Sequence, residues 1–205
     1  YKRQDFAIGN MVRFKGKRNR INNSKELKKA IAKSAALDGN NADLLEKLGF
    51  KPMSIQALVA DTAWLKSLNL EQPVGAVGQD SYFFQQMLYY ARKVSITSRA
   101  AHIYYAEIST STVNAISPKY YRKYLPLEED RAKWLEEVGL LRAYQEDRFT
   151  QFLEHWYVKK LENVDPDDLD ECIDLIGEIN GIYGLSEDSN PEIQRIMDKA
   201  RALKK

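Results

Sequence analysis

Hydrophobic residues recur three or four positions apart along most of the chain, which is the spacing that places them on one face of an α-helix. The pattern is clearest after Pro52 and Ser54, in a stripe made of Ile55, Leu58, Val59, Thr62, Leu65 and Leu68. Together with start signals such as Asp165 before Pro166, it predicts helices over 24–37, 42–48, 54–68, 81–94, 127–162, 166–181 and 191–203.

The segment 95–117 carries two conflicting signals. Its Ile, Thr and Val residues favour a β-strand. Apolar and small residues nevertheless repeat in it at helical spacing, at Ile96, Ala100, Ile103, Ala106, Thr110 and Val113. We expect a helix over this segment on the strength of that spacing.

These elements predict an all-α, mainly helical fold, with a single globular domain of about seven helices over residues 23–205. Residues 1–22 lack the periodicity, and we expect them to form an extended basic arm. The segment 69–80, "NLEQPVGAVGQD", has two Gly, one Pro and little periodicity, which predicts a hinge. The last two helices form a predicted helical hairpin over 165–203.

The composition predicts a folded, soluble protein. Hydrophobic residues make up 44% of the chain and charged residues 29%, as in globular domains. No apolar run approaches the roughly 18 residues of a membrane-spanning helix, and no signal peptide opens the chain. The single cysteine, Cys172, cannot form an internal disulfide, so we expect a cytoplasmic or otherwise intracellular protein, with a place in a larger particle as one option.

The net charge of +2 hides a division along the chain. Residues 1–33 hold eleven Lys and Arg against two acids, whereas the remainder holds twenty against 27. Such local segregation creates a local field that attracts an anionic partner. The predicted contacts in the arm are Arg13, Lys15, Lys17, Arg18 and Arg20. The partner is nucleic acid, reached through residues 11–33, or an acidic protein surface, including this protein's own acidic helix after Asp165.

A second basic segment, "SPKYYRKYLP" at 117–126, interleaves tyrosines with cations. This composition suits base stacking with phosphate pairing, and equally a protein-binding hot spot. The alternative is that the rings pack into the core while the cations reach water. The candidate contact residues here are Tyr120, Tyr121, Arg122, Lys123 and Tyr124.

Catalytic signatures are weak. The two histidines, His102 and His155, lack the Glu three residues earlier that a helical di-metal site needs. A general acid and base could still arise if His102 met Glu107 or His155 met Glu154. The acids beside Cys172 raise the pKa of its thiol, which favours a structural cysteine. The chain carries no phosphate-binding loop, zinc-type spacing or dinucleotide fingerprint, and we expect no cofactor and no metal.

Three functions follow from these observations. The first is a non-catalytic helical assembly or adaptor protein, whose basic arm docks on an anionic partner in a larger complex or on another copy of the chain. The second is a sequence-tolerant nucleic-acid-binding protein. The third is a helical enzyme with a site around His102 and Glu107 or around Glu154 and His155.

Overall fold

The computed structural model describes residues 4–15, 17–105 and 116–203. Within this part the chain combines helices with a four-stranded mixed sheet, so the prediction of an all-α fold is wrong. The strands are β1 (Phe6–Lys15), β2 (Lys17–Ile21), β3 (Leu58–Ala60) and β4 (Val94–Tyr105). The α-helices are α1 (Asn23–Ile31), α2 (Ala42–Lys47), α3 (Thr62–Ser67), α4 (Gln79–Tyr90), α5 (Pro118–Arg122), α6 (Leu125–Glu137), α7 (Leu141–Tyr144), α8 (Thr150–Phe152), α9 (Leu169–Ile182) and α10 (Pro191–Ala202).

The chain divides into two compact units. The first unit lies within Tyr1–Gln72 and Gln79–Ser109, and it holds the sheet with α1 to α4. The second lies within Pro73–Gly78 and Thr110–Lys205, and it holds α5 to α10. The hinge expected over 69–80 stays a prediction.

Strand β1 is the centre of the sheet in the first unit. It pairs in parallel with β4 along Phe6–Phe14, and antiparallel with β3 at Phe6–Ile8 and with β2 at Met11–Lys15. Strand β4 occupies one edge of β1 along both the β3-paired and the β2-paired residues. Strands β2 and β3 therefore pair, one after the other, with the other edge of β1. Strand β1 is therefore the central strand, which pairs with each of the other three.

The segment predicted to be an extended basic arm forms two strands that are paired within the sheet. Phe6, Ile8 and Asn10 alternate with smaller residues and are almost fully buried, which is the period of a strand with one face in the core. The alternation is short and is followed by the cations of residues 13–20, so it is not evident as a hydrophobic pattern in the sequence. The backbone of the segment finds its hydrogen-bond partners in the sheet rather than in water.

The helices predicted over 54–68 and 95–117 are also corrected. The first is interrupted by β3, whose residues pair with Phe6–Ile8, and Asp61 then caps α3 by accepting a hydrogen bond from the Trp64 backbone N–H at 2.8 Å. Residues 94–105 form β4, as their β-branched and aromatic residues favour. The part of that prediction at 106–115 lies outside the described residues.

Local signals place the start of α10 well, whereas the helix predicted over 24–37 is shorter, since α1 ends at Ile31. Asn190 accepts hydrogen bonds from the backbone N–H groups of Glu192 and Ile193, at 3.0 and 3.2 Å, and Pro191 opens α10. The helix predicted over 127–162 divides after α6, because Gly139 adopts a positive φ of 74° that ends a helix. Helical turns resume from Leu141 and continue to Asn163.

A charged pair lies in the core of the second unit. Glu128 and Arg131, on successive turns of α6, are almost fully buried, and the guanidinium contacts both carboxylate oxygens at 3.0 and 2.9 Å. The hydroxyls of Tyr157 and Tyr183 donate to the same carboxylate at 2.7 and 2.5 Å, and Arg131 also donates to the Tyr144 hydroxyl. Buried charges are tolerated when they are paired and hydrogen-bonded in this way.

Candidate functional site

The part of the sheet that contains β2 is a three-stranded ribbon. It consists of β2, of β1 from Met11 onwards and of β4 from Ala100 onwards. Directly paired residues of neighbouring strands direct their side chains to the same face of a sheet. One face therefore carries two rows across the ribbon, which consist of Tyr105, Phe14 and Arg18 and of Ile103, Val12 and Arg20. These six residues are named the ribbon face.

Three of the four apolar members of the ribbon face are exposed, while Val12 is half-buried. Phe14 is 38% exposed, Ile103 51% and Tyr105 59%. The rings of Phe14 and Tyr105 meet edge to face with their centroids 5.7 Å apart, which confirms that both side chains lie on this face. Exposed apolar residues that are clustered in this way mark a binding surface more often than isolated ones do.

The strands of the ribbon carry positive charge and no negative charge. None of the residues in β1, β2 and β4 is Asp or Glu, whereas six are Lys or Arg. Within the described part of the chain, no carboxylate lies at ion-pair distance from Arg13, Lys17 or Arg18, and all three are exposed. Arg20 is also exposed and donates a hydrogen bond to the Ser98 carbonyl, while the side chain of Lys15 lies outside the described part.

A bulge in β4 fixes the position of this ribbon. Three residues of β4 lie between Ile96 and Ala100, the partners of Ile8 and Asn10, where β1 has only Gly9, so β4 bulges at this point. A Cβ on Gly9 would lie 2.8 Å from the Ala101 Cβ, which explains why only glycine fits there. The buried Asn10 side chain joins three segments, because it donates to the Ser98 carbonyl and accepts from the backbone N–H of Ser24 in α1, both at 2.9 Å.

A cleft of about 350 Å³ lies beside the end of β2, where α1 begins. Lys25 and Lys51 line it together with Glu26. Lys51 is distant in the sequence from the basic segment, and the structure adds it to the basic surroundings of the ribbon. Sequence analysis did not single it out, because it stands alone between Phe50 and Pro52.

The tyrosines of the segment 117–126 are core residues. Tyr120, Tyr121 and Tyr124 are at most 4% exposed, and burial raises the pKa of each hydroxyl. Their hydroxyls also bond within the second unit: Tyr120 to Tyr124 at 3.1 Å, and Tyr121 to the Tyr157 carbonyl at 2.9 Å. These rings are not available to stack on a ligand, in agreement with the alternative that they pack in the core.

The cations of the same segment are differently placed. Arg122 is exposed and forms an ion pair with Glu171 of α9, while Lys123 is half-buried. With the neighbouring rings buried, this segment does not present the interleaved aromatic and basic surface that its sequence suggests.

Of the two pairs considered for catalysis, only Glu154 and His155 are both described, so the pairing of His102 with Glu107 stays a prediction. His102 lies half-buried on β4, and Glu107 lies outside the described residues. Glu154 forms ion pairs with Arg195 at 3.0 Å and with Lys199, and these two cations lower the pKa of its carboxyl to about 2. Such a carboxylate remains ionised near neutral pH and has no proton to donate.

A cleft of about 260 Å³ adjoins Glu154, and His155, Lys159 and Glu162 line it. Its charged groups are of both signs, and Glu154 is already held by its cations. Among the residues that the structure describes, no group of three His, Cys, Asp or Glu side chains is arranged to hold a metal ion. No helix in the same part of the chain has the length and apolar character needed to cross a membrane.

In comparisons with protein-family models, curated proteins and solved structures, nothing matches this chain. Its function is therefore inferred from the chemistry of its own surface. In the ribbon, exposed cations and exposed rings lie together.

Proposed function

We propose that the protein binds nucleic acid through the ribbon, largely without regard to sequence. The observation that carries the proposal is the absence of Asp and Glu from the ribbon, which contains Arg13, Lys15, Lys17, Arg18 and Arg20. Cations without carboxylate partners are free to contact phosphates and to release the counterions that surround them. This release is the main source of affinity in sequence-tolerant binding.

The fold makes this charge more effective than a free arm would. A disordered arm loses conformational entropy when it is ordered on its target. The cations of β1 and β2 are already held on strands that pair with one another from Met11 to Lys15. The exposed lysines Lys25, Lys28 and Lys29 of α1 extend the positive surface beyond β2.

A second candidate is the assembly or adaptor role, in which the ribbon docks on an anionic protein surface. The exposed Ile103 and Tyr105 favour it, because apolar residues with arginines beside them are typical of protein interfaces as well. The two candidates differ in the ligand and share the surface. A measurement with nucleic acid therefore separates them.

The test compares affinities for a fluorescent single-stranded oligonucleotide at one ionic strength. In the ribbon variant, Arg13, Lys17 and Arg18 are all changed to Gln. In the matched control, Lys119, Lys133 and Lys159 are changed to Gln, since these lysines are exposed on the second unit and the change in net charge is the same. We expect the ribbon variant to bind roughly tenfold or more weakly and the control to keep most of the affinity.

Two results would contradict the proposal. If the intact protein does not bind the oligonucleotide, the ribbon has a different ligand and the assembly role takes precedence. If the two variants lose equal affinity, binding depends on net charge rather than on the ribbon.

A further inference from the structure

The ribbon face separates apolar and cationic side chains into columns. Tyr105 and Ile103 lie two residues apart on β4, and Phe14 and Val12 lie beside them on β1. Arg18 and Arg20 form the next column on β2, opposite Phe14 and Val12. Residues two apart on a strand are separated by about 7 Å, so each column is a short line along the ribbon.

This arrangement matches the two sides of a single nucleic-acid strand. Unpaired bases are flat and apolar on their faces and stack on exposed aromatic rings, while the phosphates follow the other side of the strand. Phe14 and Tyr105 offer the rings, and Arg18 offers a guanidinium without a carboxylate partner in the described residues. Arg20 is exposed as well; it donates to the Ser98 carbonyl and has no carboxylate partner in the described residues.

A duplex does not use such a surface well. The base faces are covered by their neighbours in the stack, and a protein reaches only phosphates and base edges. The exposed apolar area of Ile103 and Tyr105 would then stay in water or meet the polar backbone. An apolar protein partner would in turn leave the arginine column without anions.

We infer that the ribbon face binds single-stranded nucleic acid, with bases stacked on Phe14 and Tyr105 and phosphates held by Arg18 and Arg20. The inference rests on the proposed function and deepens it, since it names the ligand class and the face. The opposite face of the same strands takes no part in stacking, although its half-buried Tyr104 is the immediate neighbour of Tyr105.

The experiment uses the full chain and three probes of about 12 nucleotides: an oligodeoxyadenylate, an oligomer of the same length in which the bases are replaced by abasic sites, and a duplex. The abasic strand keeps the phosphates and removes the stacking surface. We expect the intact protein to bind the oligodeoxyadenylate roughly tenfold or more tightly than the abasic strand, and more tightly than the duplex.

Variants assign this preference to the ribbon face. The double variant Phe14→Leu with Tyr105→Leu should lose the preference for bases and keep its affinity for the abasic strand. The matched control Tyr104→Leu removes a tyrosine from the other face of the same strand, and it should keep the preference. The double variant Arg18→Gln with Arg20→Gln should bind both the oligodeoxyadenylate and the abasic strand more weakly. Circular dichroism verifies that each variant is folded. If the double variant does not fold, the single variant Tyr105→Leu replaces it in the comparison.

The failures are distinguishable. Binding of all probes with equal affinity, or tighter binding of the duplex, would overturn the inference and leave the proposed function standing. An equal loss of base preference in Tyr104→Leu and in the double variant would overturn the assignment to this face. No binding to any probe would overturn both the inference and the proposed function.

Discussion

Phe14 and Tyr105 are register partners on β1 and β4, and their rings meet edge to face at a centroid distance of 5.7 Å. A buried aromatic pair of this geometry stabilises a core by about 0.5–1.5 kcal/mol. Here both rings are more than one-third exposed, so much of their area is left for a ligand. The pair places an aromatic surface directly beside the cations of β2.

Gly9 allows β4, which carries Tyr105, to lie close to β1. We expect Gly9→Ala to destabilise the protein by about 1–3 kcal/mol, because the added methyl would lie 2.8 Å from the Ala101 Cβ and 3.1 Å from the Arg99 carbonyl. The strand that carries Tyr105 would have to shift, so nucleic-acid affinity should fall as well. Urea denaturation measures the first effect and fluorescence anisotropy the second.

The matched control for this prediction is Gly177→Ala in α9. A Cβ at this position meets no heavy atom within 4 Å, and alanine is the better helix former by about 1 kcal/mol. The control should therefore be at least as stable as the intact protein. A Gly9→Ala protein with unchanged stability and affinity would contradict the role given to the bulge.

The buried pair in the second unit leads to a prediction about stability. We expect Glu128→Gln to destabilise the protein by about 3–5 kcal/mol, since it removes the negative charge that is paired with the buried Arg131 guanidinium. The double variant with Arg131→Met should be less destabilised than the sum of the two single changes. Urea denaturation of all four proteins completes the cycle, and additive losses would show that the two side chains do not interact.

Glu154 makes part of the stability depend on pH. Its pKa is lowered from 4.5 to about 2 by hydrogen bonds from Arg195 and Lys199, so the folded protein binds the proton more weakly than the unfolded chain does. The stabilisation is complete above pH 4.5 and is lost as the pH falls through about 2. Because the cations are 43% and 52% exposed, solvent screening limits the effect to about 1 kcal/mol.

The variant Glu154→Gln tests this linkage. Its deficit in the free energy of unfolding should be about 1 kcal/mol near neutral pH and should shrink as the pH falls below 4.5. Urea denaturation at several pH values measures it. A deficit that stays constant over the whole range would show that the ion pairs do not supply the stability.

Cys172 is expected to react slowly with thiol reagents. It is fully buried, and burial, followed by the nearby carboxylates of Asp168 and Glu171, raises the pKa of its thiol to about 12. Since the thiolate is the reactive form, labelling at pH about 8 should be slow in the native protein and fast in urea. Rapid labelling of the native protein would contradict the described packing of α9.

The parts of the fold that could be predicted from the sequence depend on neighbouring residues. Asn190 and Pro191 mark the start of α10 by local chemistry alone, and the stripe of α9 has the same local origin. The sheet depends on partners that are distant along the chain: Phe6 pairs with both Ala60 and Val94. No short-range pattern specifies such pairings. In residues 95–105, apolar residues at helical spacing favoured a helix where the structure has β4.

The site was predictable to a similar extent. The cations of residues 13–20 stand out in the sequence, but their ring partner Tyr105 appears only when β4 lies beside β1. The β-branched and aromatic residues of 94–105 were the available sequence signal for a strand. Conversely, the tyrosines around Arg122 resemble a contact patch in the sequence and are buried in the structure.

The most direct test of the account is the salt dependence of binding to a single-stranded oligonucleotide. The logarithm of the association constant should fall linearly with the logarithm of the salt concentration for the intact protein. In the variant with Arg18 and Arg20 changed to Gln, the magnitude of the slope should decrease by roughly 1.4, because each lost phosphate contact on a single strand contributes about 0.7. An unchanged slope, or no binding by the intact protein, would contradict the assignment of the ribbon as a nucleic-acid-binding surface.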